Sequence, residues 1–169
     1  MTQTVYLSLG SNLGDREQNI INAVRKLSAL EGFESIAFSP LYVSDAVDMD
    51  ENAPRFLNMV IKGDYTYRPL ELLDSIERIE KDMGRVGKGE YQPRRIDIDI
   101  LLFGDEKIKT DRLAVPHPRM TKRRFVLEPL VQIAPELVHP VTGKRFDSYL
   151  ARVADDEVMI YKENVNVHV

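Results

Sequence analysis

The order of predicted strands and helices indicates an α+β domain built on an antiparallel sheet. Two observations carry this prediction: segments with strand-like apolar content alternate with helical stripes, and they follow in the order strand, helix, strand, strand, helix, strand. The chain has 169 residues, 43% of them hydrophobic, which suits a single domain with an ordinary core. We therefore expect residues 1–169 to form one domain.

The first half of the chain contains two predicted strands around a helix. Val5 to Leu9 forms the first strand, and Asp15 is a plausible N-cap for a helix that runs to about Leu30. Phe33 to Val43 is the second strand, and Pro40 interrupts its pattern because proline has no N–H to donate to a neighbouring strand.

The next segments repeat the same pattern. Phe56 to Tyr65 predicts a third strand. Pro69 suits the first turn of a second helix and Gly84 suits its end. The apolar stripe of that helix consists of Leu72, Ile76, Ile79 and Met83. Residues 95–103 form the fourth strand, in which isoleucines alternate with charged residues.

Strand, helix, strand, strand, helix, strand is the arrangement of the ferredoxin-like βαββαβ fold. We expect an antiparallel sheet with both helices packed on one face, which leaves the other face free to build a site. A C-terminal helical extension follows, with helices at 125–134 and 147–153. Pro129 falls within the first of these and should limit it or delay its start. A short strand is expected at Val158 to Tyr161.

Composition excludes several classes of function. The chain has no cysteine, so disulfides, thiolate metal sites and thiol nucleophiles are impossible. The N-terminal residues lack the basic and apolar regions of a signal peptide, and no apolar run approaches the length of a membrane span. We expect a cytoplasmic protein that does not bind membranes.

Positive charge is concentrated in two segments, 85–95 and 112–124, although the net charge of the chain is −4. Basic segments within an acidic protein favour a local anion site over a general nucleic-acid surface. Solvated loops that carry these charges by chance are the simpler explanation, and only the motifs distinguish the two.

Asp97 and Asp99 form the most informative pair in the sequence. They alternate with Ile96, Ile98 and Ile100, so on a strand they share one face, about 7 Å apart along the backbone. Two carboxylates that close repel each other unless a cation lies between them. Mg²⁺ suits this position, because it takes oxygen ligands and commonly uses one or two carboxylates together with substrate phosphates.

Several short motifs accompany this pair in a recognisable order. They are Leu9-Gly10-Ser11-Asn12-Leu13-Gly14, Phe56-Leu57-Asn58, Ile79-Glu80 with Gly84-Arg85, Pro93-Arg94 with Ile96 to Leu101, Val115-Pro116-His117, Arg123 to Leu127, and Ile133 to Leu137. Together they resemble the 6-hydroxymethyl-7,8-dihydropterin pyrophosphokinase family of folate biosynthesis, over most of the chain.

The resemblance implies an enzyme that transfers the β,γ-pyrophosphoryl group of ATP to the pterin hydroxymethyl oxygen and releases AMP. It implies ATP as co-substrate and two Mg²⁺ ions held by Asp97 and Asp99. Asp97 also matches the acid that contacts the substrate hydroxyl. Arg85 and Arg94 match arginines that act on the triphosphate during catalysis.

The resemblance assigns the remaining site residues to two ligands. Those implied for the nucleotide are Glu77, Glu80, Arg85, Arg94, Arg112, His117 and Arg123. Those implied for the pterin are Phe56 and Phe125 as a stacking pair, Asn58 as the amide that reads the pterin edge, and Ser44 and Val47 as the completion of the pocket. A flat ring rich in donors and acceptors calls for such aromatic faces and an amide.

Some positions depart from the family pattern. Gly87 replaces a loop arginine, Tyr91 stands where a tryptophan is usual, and Ser44-Asp45 replaces Thr-Pro. Ala114 replaces a hydroxyl residue and Pro118 an aromatic one. These departures concern nucleotide and pterin affinity, and they leave the predicted metal ligands and stacking pair unchanged.

Two other functions remain open from the residues alone. An RNA-binding module can use the same scaffold, but it needs sheet aromatics in a basic surface, and Asp97 and Asp99 would repel phosphate without a metal. A cyclase or nucleotidyl transferase could use the same carboxylate pair. We expect ATP and the pterin as partners, no nucleic acid, and a monomer or a weak homodimer.

Overall fold

The computed structural model describes residues 2–44, 55–84, 95–153 and 158–165. The strands are β1 (Gln3–Ser11), β2 (Phe33–Phe38), β3 (Leu41–Ser44), β4 (Phe56–Tyr65), β5 (Asp97–Phe103), β6 (Ile108–Lys109), β7 (Ala114–Val115) and β8 (Val158–Lys162). The helices are α1 (Arg16–Ser28), α2 (Pro69–Asp82), α3 (Arg124–Ile133) and α4 (Phe146–Leu150), with short 3-10 turns at Met120–Lys122 and Ala151–Val153. The α+β class predicted from the sequence is confirmed.

The main sheet runs in the order β5-β1-β4-β3-β8, and β2 also pairs with β4. Each of these pairings is antiparallel. The outer strands are therefore aligned by their pairing with the long central strands β1 and β4. Residues directly opposite each other on paired strands point to the same face of the sheet.

Two apolar cores lie on opposite faces of this sheet. Helices α1 and α2 cover one face, where Leu7, Leu9, Ile20, Leu72 and Ile98 are buried. The other face packs against α3 and α4, through a core that consists of Tyr6, Val60, Leu101, Leu102, Met120, Val126, Leu127, Leu130 and Phe146. The expectation that the first two helices share one face is confirmed. The expectation that the other face stays free was wrong, because that face carries enough apolar residues to require its own cover.

The predicted second strand is divided at Ser39-Pro40 into β2 and β3. Pro40 has no N–H for the ladder, and Ser39 supplies the local bonds instead. Its N–H donates to the Val60 carbonyl at 2.9 Å, and its Oγ accepts from the Val60 N–H at 2.9 Å. This break lets β2 and β3 pair with different parts of β4.

The helix ends follow the predicted capping chemistry. Asp15 Oδ1 accepts from the Gln18 N–H at 3.1 Å at the start of α1, and Pro69 is the first residue of α2. Gly84 follows α2 with a φ of 96°, a conformation that favours glycine. Helix α3 begins at Arg124 and continues through Pro129. The expectation that this proline limits the helix or delays its start was therefore wrong, because the apolar face of α3 is buried in the second core and outweighs the local cost of the proline.

In the C-terminal half, sequence periodicity predicted α4 and β8 but not the hairpin of β6 and β7. The short strands β6 and β7 pair as a hairpin, and two residues each are too few to show a period. Helix α4 begins at Phe146 and β8 occupies the predicted position. None of the helices described at 2–44, 55–84, 95–153 and 158–165 is long and apolar enough to cross a bilayer.

Candidate active site

Asp97 and Asp99 lie on the same face of β5. They are partly exposed, whereas Ile98 between them is buried in the core beneath α1 and α2. The alternation follows from the two-residue period of a strand. The sequence-based prediction that both carboxylates share one face is confirmed.

A row of opposed residues crosses the sheet from Asp97. Asp97 lies opposite Gly10 on β1, and Gly10 lies opposite Asn58 on β4. Asn58 shares a face with Val60, two residues further along β4, and Val60 belongs to the core under α3. The acid and the amide therefore face the same side, about 10 Å apart across one intervening strand.

Gly10, in the middle of this row, adds no side chain to the sheet surface. A Cβ atom at this position would lie 3.4 Å from Phe56 Cδ1 and 3.5 Å from Asn58 Oδ1. A side chain here would therefore lie against Phe56 and Asn58, and glycine keeps the β1 backbone uncovered beside them. Glycine inside a strand often marks such a close approach, and that signal could have identified Gly10 from the sequence.

Asn58 is held by a buried contact with Ser44. The Asn58 Nδ2 donates to Ser44 Oγ at 2.7 Å, and both side chains are nearly inaccessible to solvent. This bond fixes the amide plane, so the Oδ1 atom keeps a defined direction. Phe56 is partly exposed on β4, directly opposite Ser44. Three of the residues predicted for the pterin are thereby brought together.

Phe125 and Arg123 come from the start of α3. Phe125 packs partly buried against the core on the same face as Asn58. The Arg123 guanidinium lies over the Phe125 ring, with its carbon 5.6 Å from the ring centre, which is within the range of a cation–π contact. One predicted nucleotide residue and one predicted pterin residue therefore contact each other.

His117 follows β7 and the cis peptide bond between Val115 and Pro116. Its N–H donates to the Leu101 carbonyl at 2.9 Å, which fixes it beside β5. The Nδ1 atom accepts from the Arg119 N–H at 3.1 Å. A neutral imidazole with this contact carries its proton on Nε2.

Arg112, in the loop between β6 and β7, forms an exposed ion-pair cluster with Glu77 and Asp74 on α2. Arg112 Nη2 lies 2.7 Å from Asp74 Oδ1 and 2.8 Å from Glu77 Oε1. The hydrogen bonds that Arg112 donates to Asp74 and then to Glu77 raise the pKa of Arg112 above its ordinary value. Asp74 was missed from the sequence, although its spacing of three from Glu77 places both on one helix face.

Glu80 lies behind β5 and is only 2% exposed. Its Oε2 accepts from the Ile98 N–H at 2.9 Å. The carboxylate thus contacts the backbone between Asp97 and Asp99, from the core side of the sheet. The arrangement suits a residue that holds the strand in place.

Three predicted site residues, Arg85, Arg94 and Val47, lie outside the described residues. Within the described ranges, no group of three or more His, Asp or Glu side chains comes together as a metal site. Asp97 and Asp99 nevertheless offer two carboxylates on one face. This donor set fits a hard cation whose remaining ligands are phosphates and water.

The fold and this arrangement define an α+β domain with a polar ligand site at one end of its sheet. The family model for 7,8-dihydro-6-hydroxymethylpterin-pyrophosphokinase matches residues 6–135. The chain belongs to this family.

Full-length relatives support the assignment. A 2-amino-4-hydroxy-6-hydroxymethyldihydropteridine pyrophosphokinase from Aquifex aeolicus is 46% identical over 83% of this chain and 86% of its own length. Proteins of the same name from Pseudomonas aeruginosa and Bacillus subtilis are 42% and 39% identical, over 92% and 91% of their lengths.

Other relatives are much longer than this chain. The folic acid synthesis protein fol1 of Pneumocystis carinii is 40% identical over 92% of the chain, which spans only 21% of that protein. The crystal structure of wild-type HPPK-DHPS from Plasmodium falciparum, with pterin and p-hydroxybenzoate, aligns with a TM-score of 0.69 over 90% of this chain and 43% of its own. At 18% identity, that structure supports the fold alone.

Proposed function

We propose that this chain transfers the pyrophosphoryl group of ATP to 6-hydroxymethyl-7,8-dihydropterin, giving the pterin diphosphate and AMP, in folate biosynthesis. The family and its full-length relatives are named as pyrophosphokinases of this pterin. The observation that carries it here is the row Asp97, Gly10, Asn58, which sets a carboxylate and an amide on one face of the sheet. Residues 1–169 act as one pyrophosphokinase domain, and the strand order β5-β1-β4-β2 supports ferredoxin-like connectivity.

Asn58 and the two phenylalanines bind the pterin in this proposal. The ring stacks between Phe56 and Phe125, and the fixed Asn58 amide reads its polar edge. Ser44 orients that amide, and Val47 completes the pocket. The hydroxymethyl group then points across Gly10 towards β5, where Asp97 orients its oxygen.

The basic residues bind the triphosphate. Arg85, Arg94, His117 and Arg123 contact phosphate oxygens, and Arg112 contacts the nucleotide. Glu77 supports Arg112 through their ion pair, and Glu80 supports the site from behind by accepting the Ile98 N–H. Arginine donors match phosphate geometry, and His117 donates a hydrogen bond from Nε2.

Asp97 and Asp99 would hold two Mg²⁺ ions. When bound, the metal neutralises phosphate charge and favours in-line displacement. The pterin hydroxyl oxygen forms a bond to the β-phosphorus, and its proton is released to solvent. The bond between that phosphorus and the oxygen bridging to the α-phosphate breaks, and AMP leaves with the bridging oxygen.

The direct test is a turnover assay with ATP, Mg²⁺ and the hydroxymethyl pterin, read by mass spectrometry. We expect AMP and pterin diphosphate in equal amounts. Release of ADP, or turnover of a different acceptor only, would indicate another metal-dependent nucleotide enzyme.

Substitution of the carboxylates provides the second test. We expect Asp97→Asn and Asp99→Asn to lower kcat by at least about 100-fold, because each removes a charge without changing side-chain size. Asp105→Asn is the matched control, since Asp105 is exposed just beyond the end of β5. Retained activity in both site variants, with the control unchanged, would contradict the proposal.

A further inference from the structure

Strand β8 lies outside the part of the chain that matches the family model, which ends at residue 135. It pairs antiparallel with β3, and Val158 lies opposite Ser44. Val158 is the one buried residue of its five. The strand therefore contributes little apolar burial, and its main contribution is a backbone ladder along β3.

Strand β3 is paired along one edge with β8 and along the other with β4. It contains four residues, and its opposite edge pairs with β4 through only three of them, Tyr42 to Ser44. Ser44 ends the strand and accepts the buried bond from Asn58 at 2.7 Å. The placement of the Asn58 amide thus depends on a short strand supported from both sides.

Side chains also connect β8 to the start of α1. Lys162 Nζ lies 2.9 Å from Glu17 Oε2, and the Arg16 guanidinium carbon lies 5.9 Å from the centre of the Tyr161 ring. Arg16 Nη1 also donates to the Arg55 carbonyl at 2.8 Å. Arg55 directly precedes Phe56, so Arg16 joins the C-terminal strand to the backbone that carries this ring.

We infer that β8 and Arg16 are positioning elements that hold Ser44, Asn58 and Phe56 in register for the pterin. The inference rests on the proposed function for the identity of the ligand. Arg16 and Tyr161 act through the backbone at both ends of this pocket, one at Arg55 and the other through the β8 ladder. Neither is required to touch the substrate.

The first test compares matched pairs of variants by equilibrium binding of the hydroxymethyl pterin and of ATP to the full chain. Arg16→Met and Tyr161→Leu should each weaken pterin binding by about three- to tenfold, with the ATP dissociation constant changed less than about twofold. Tyr161→Phe keeps the ring beneath Arg16 and should bind like wild type. Arg152→Met, at an exposed arginine, should also leave pterin binding unchanged.

The second test measures amide hydrogen exchange, which does not require the ligand. Arg16→Met and Tyr161→Leu should speed exchange at residues 41–44 and 56–58, and leave residues 5–9 of β1 unchanged. Unchanged exchange together with unchanged pterin binding would overturn the inference. Wild-type protein that binds no pterin would instead refute the proposed function, and the exchange measurement would still decide the structural part.

Discussion

Gly10 shows how a single missing side chain can shape a binding surface. Asp97 and Asn58 are both polar, and both face the same side of the sheet across Gly10. Any side chain at this position would lie against Phe56 and Asn58. The flat strip of backbone is as much a part of the site as the groups on either side.

We predict that Gly10→Ala weakens pterin binding by about tenfold. The added methyl group would occupy space that the ring requires, while its contacts of 3.4 and 3.5 Å with protein atoms are ordinary. Overfilling a packed site typically costs about 1–3 kcal/mol. Calorimetric titration with the pterin measures the change. Tm and ATP affinity serve as controls, and a large fall in Tm would mean that the role of Gly10 is structural instead.

At the scale of elements, Glu80 links α2 to the strand that carries both acids. A buried carboxylate accepts the Ile98 N–H at 2.9 Å, and Ile98 is almost fully buried. A buried donor that loses its acceptor is costly. The contact therefore connects helix packing with the geometry of Asp97 and Asp99.

We predict that Glu80→Ala lowers the free energy of unfolding by about 1–3 kcal/mol, the usual cost of an unsatisfied buried donor. Glu80→Gln keeps an acceptor oxygen and should lose less. Urea denaturation measures both variants, and Lys81→Ala, exposed on the same helix, should stay within about 0.5 kcal/mol of wild type. Equal losses for Glu80→Ala and Glu80→Gln would show that the hydrogen bond to Ile98 is not the cause.

The turn before α4 depends on a neutral histidine. His139 Nδ1 accepts from the N–H groups of Val141 and Thr142 at 3.1 and 3.3 Å, and its ring packs against Phe146 and Tyr149. Burial lowers the pKa of His139 below its ordinary value. Protonation would remove the acceptor and place a charge among aromatic rings.

We predict that this turn destabilises the protein in acid. Because the pKa of His139 is lower in the folded state, the unfolded chain binds more protons between the two values, so stability rises with pH in that window. The contribution is complete above the unfolded pKa of about 6.5 and is lost as the pH falls below it. Free energies of unfolding at pH 7.5 and 5.5 should therefore differ more for wild type than for His139→Gln. A difference that is no larger in wild type would refute the assignment.

At the scale of the whole molecule, the candidate site lies on the sheet face that helices cover only in part. Helices α1 and α2 bury one face of the sheet, and α3 and α4 cover part of the other. Asp97, Asp99 and Phe125 remain partly exposed beside that second core. Residues from β4, β5 and α3 reach one face only when the chain is folded.

A ligand of this site should therefore stabilise the native state alone. We predict that the hydroxymethyl pterin at about 100 times its dissociation constant adds about 2.7 kcal/mol to the free energy of unfolding. Thermal unfolding with and without the pterin measures the effect as a rise in Tm. Asn58→Ala should reduce that rise, and an equal rise in the variant would show that the ligand binds elsewhere.

The sequence alone determined β1, β4, β5, β8, the four helices and the shared face of Asp97 and Asp99, whereas it joined β2 and β3 into one strand and did not indicate β6 and β7. These features depend on local periodicity and capping, which a short window of residues contains. It also indicated the family, through motifs that keep their order along the chain.

Only the tertiary structure decided which residues meet. Asn58 bonds Ser44, Arg112 pairs with Asp74 as well as Glu77, and Glu80 contacts the strand from behind. The cover of the second face by α3 likewise depends on contacts between distant segments. Strand register and helix packing fix such contacts. The periodicity of one segment shows which of its faces is buried, but not which other segment it contacts.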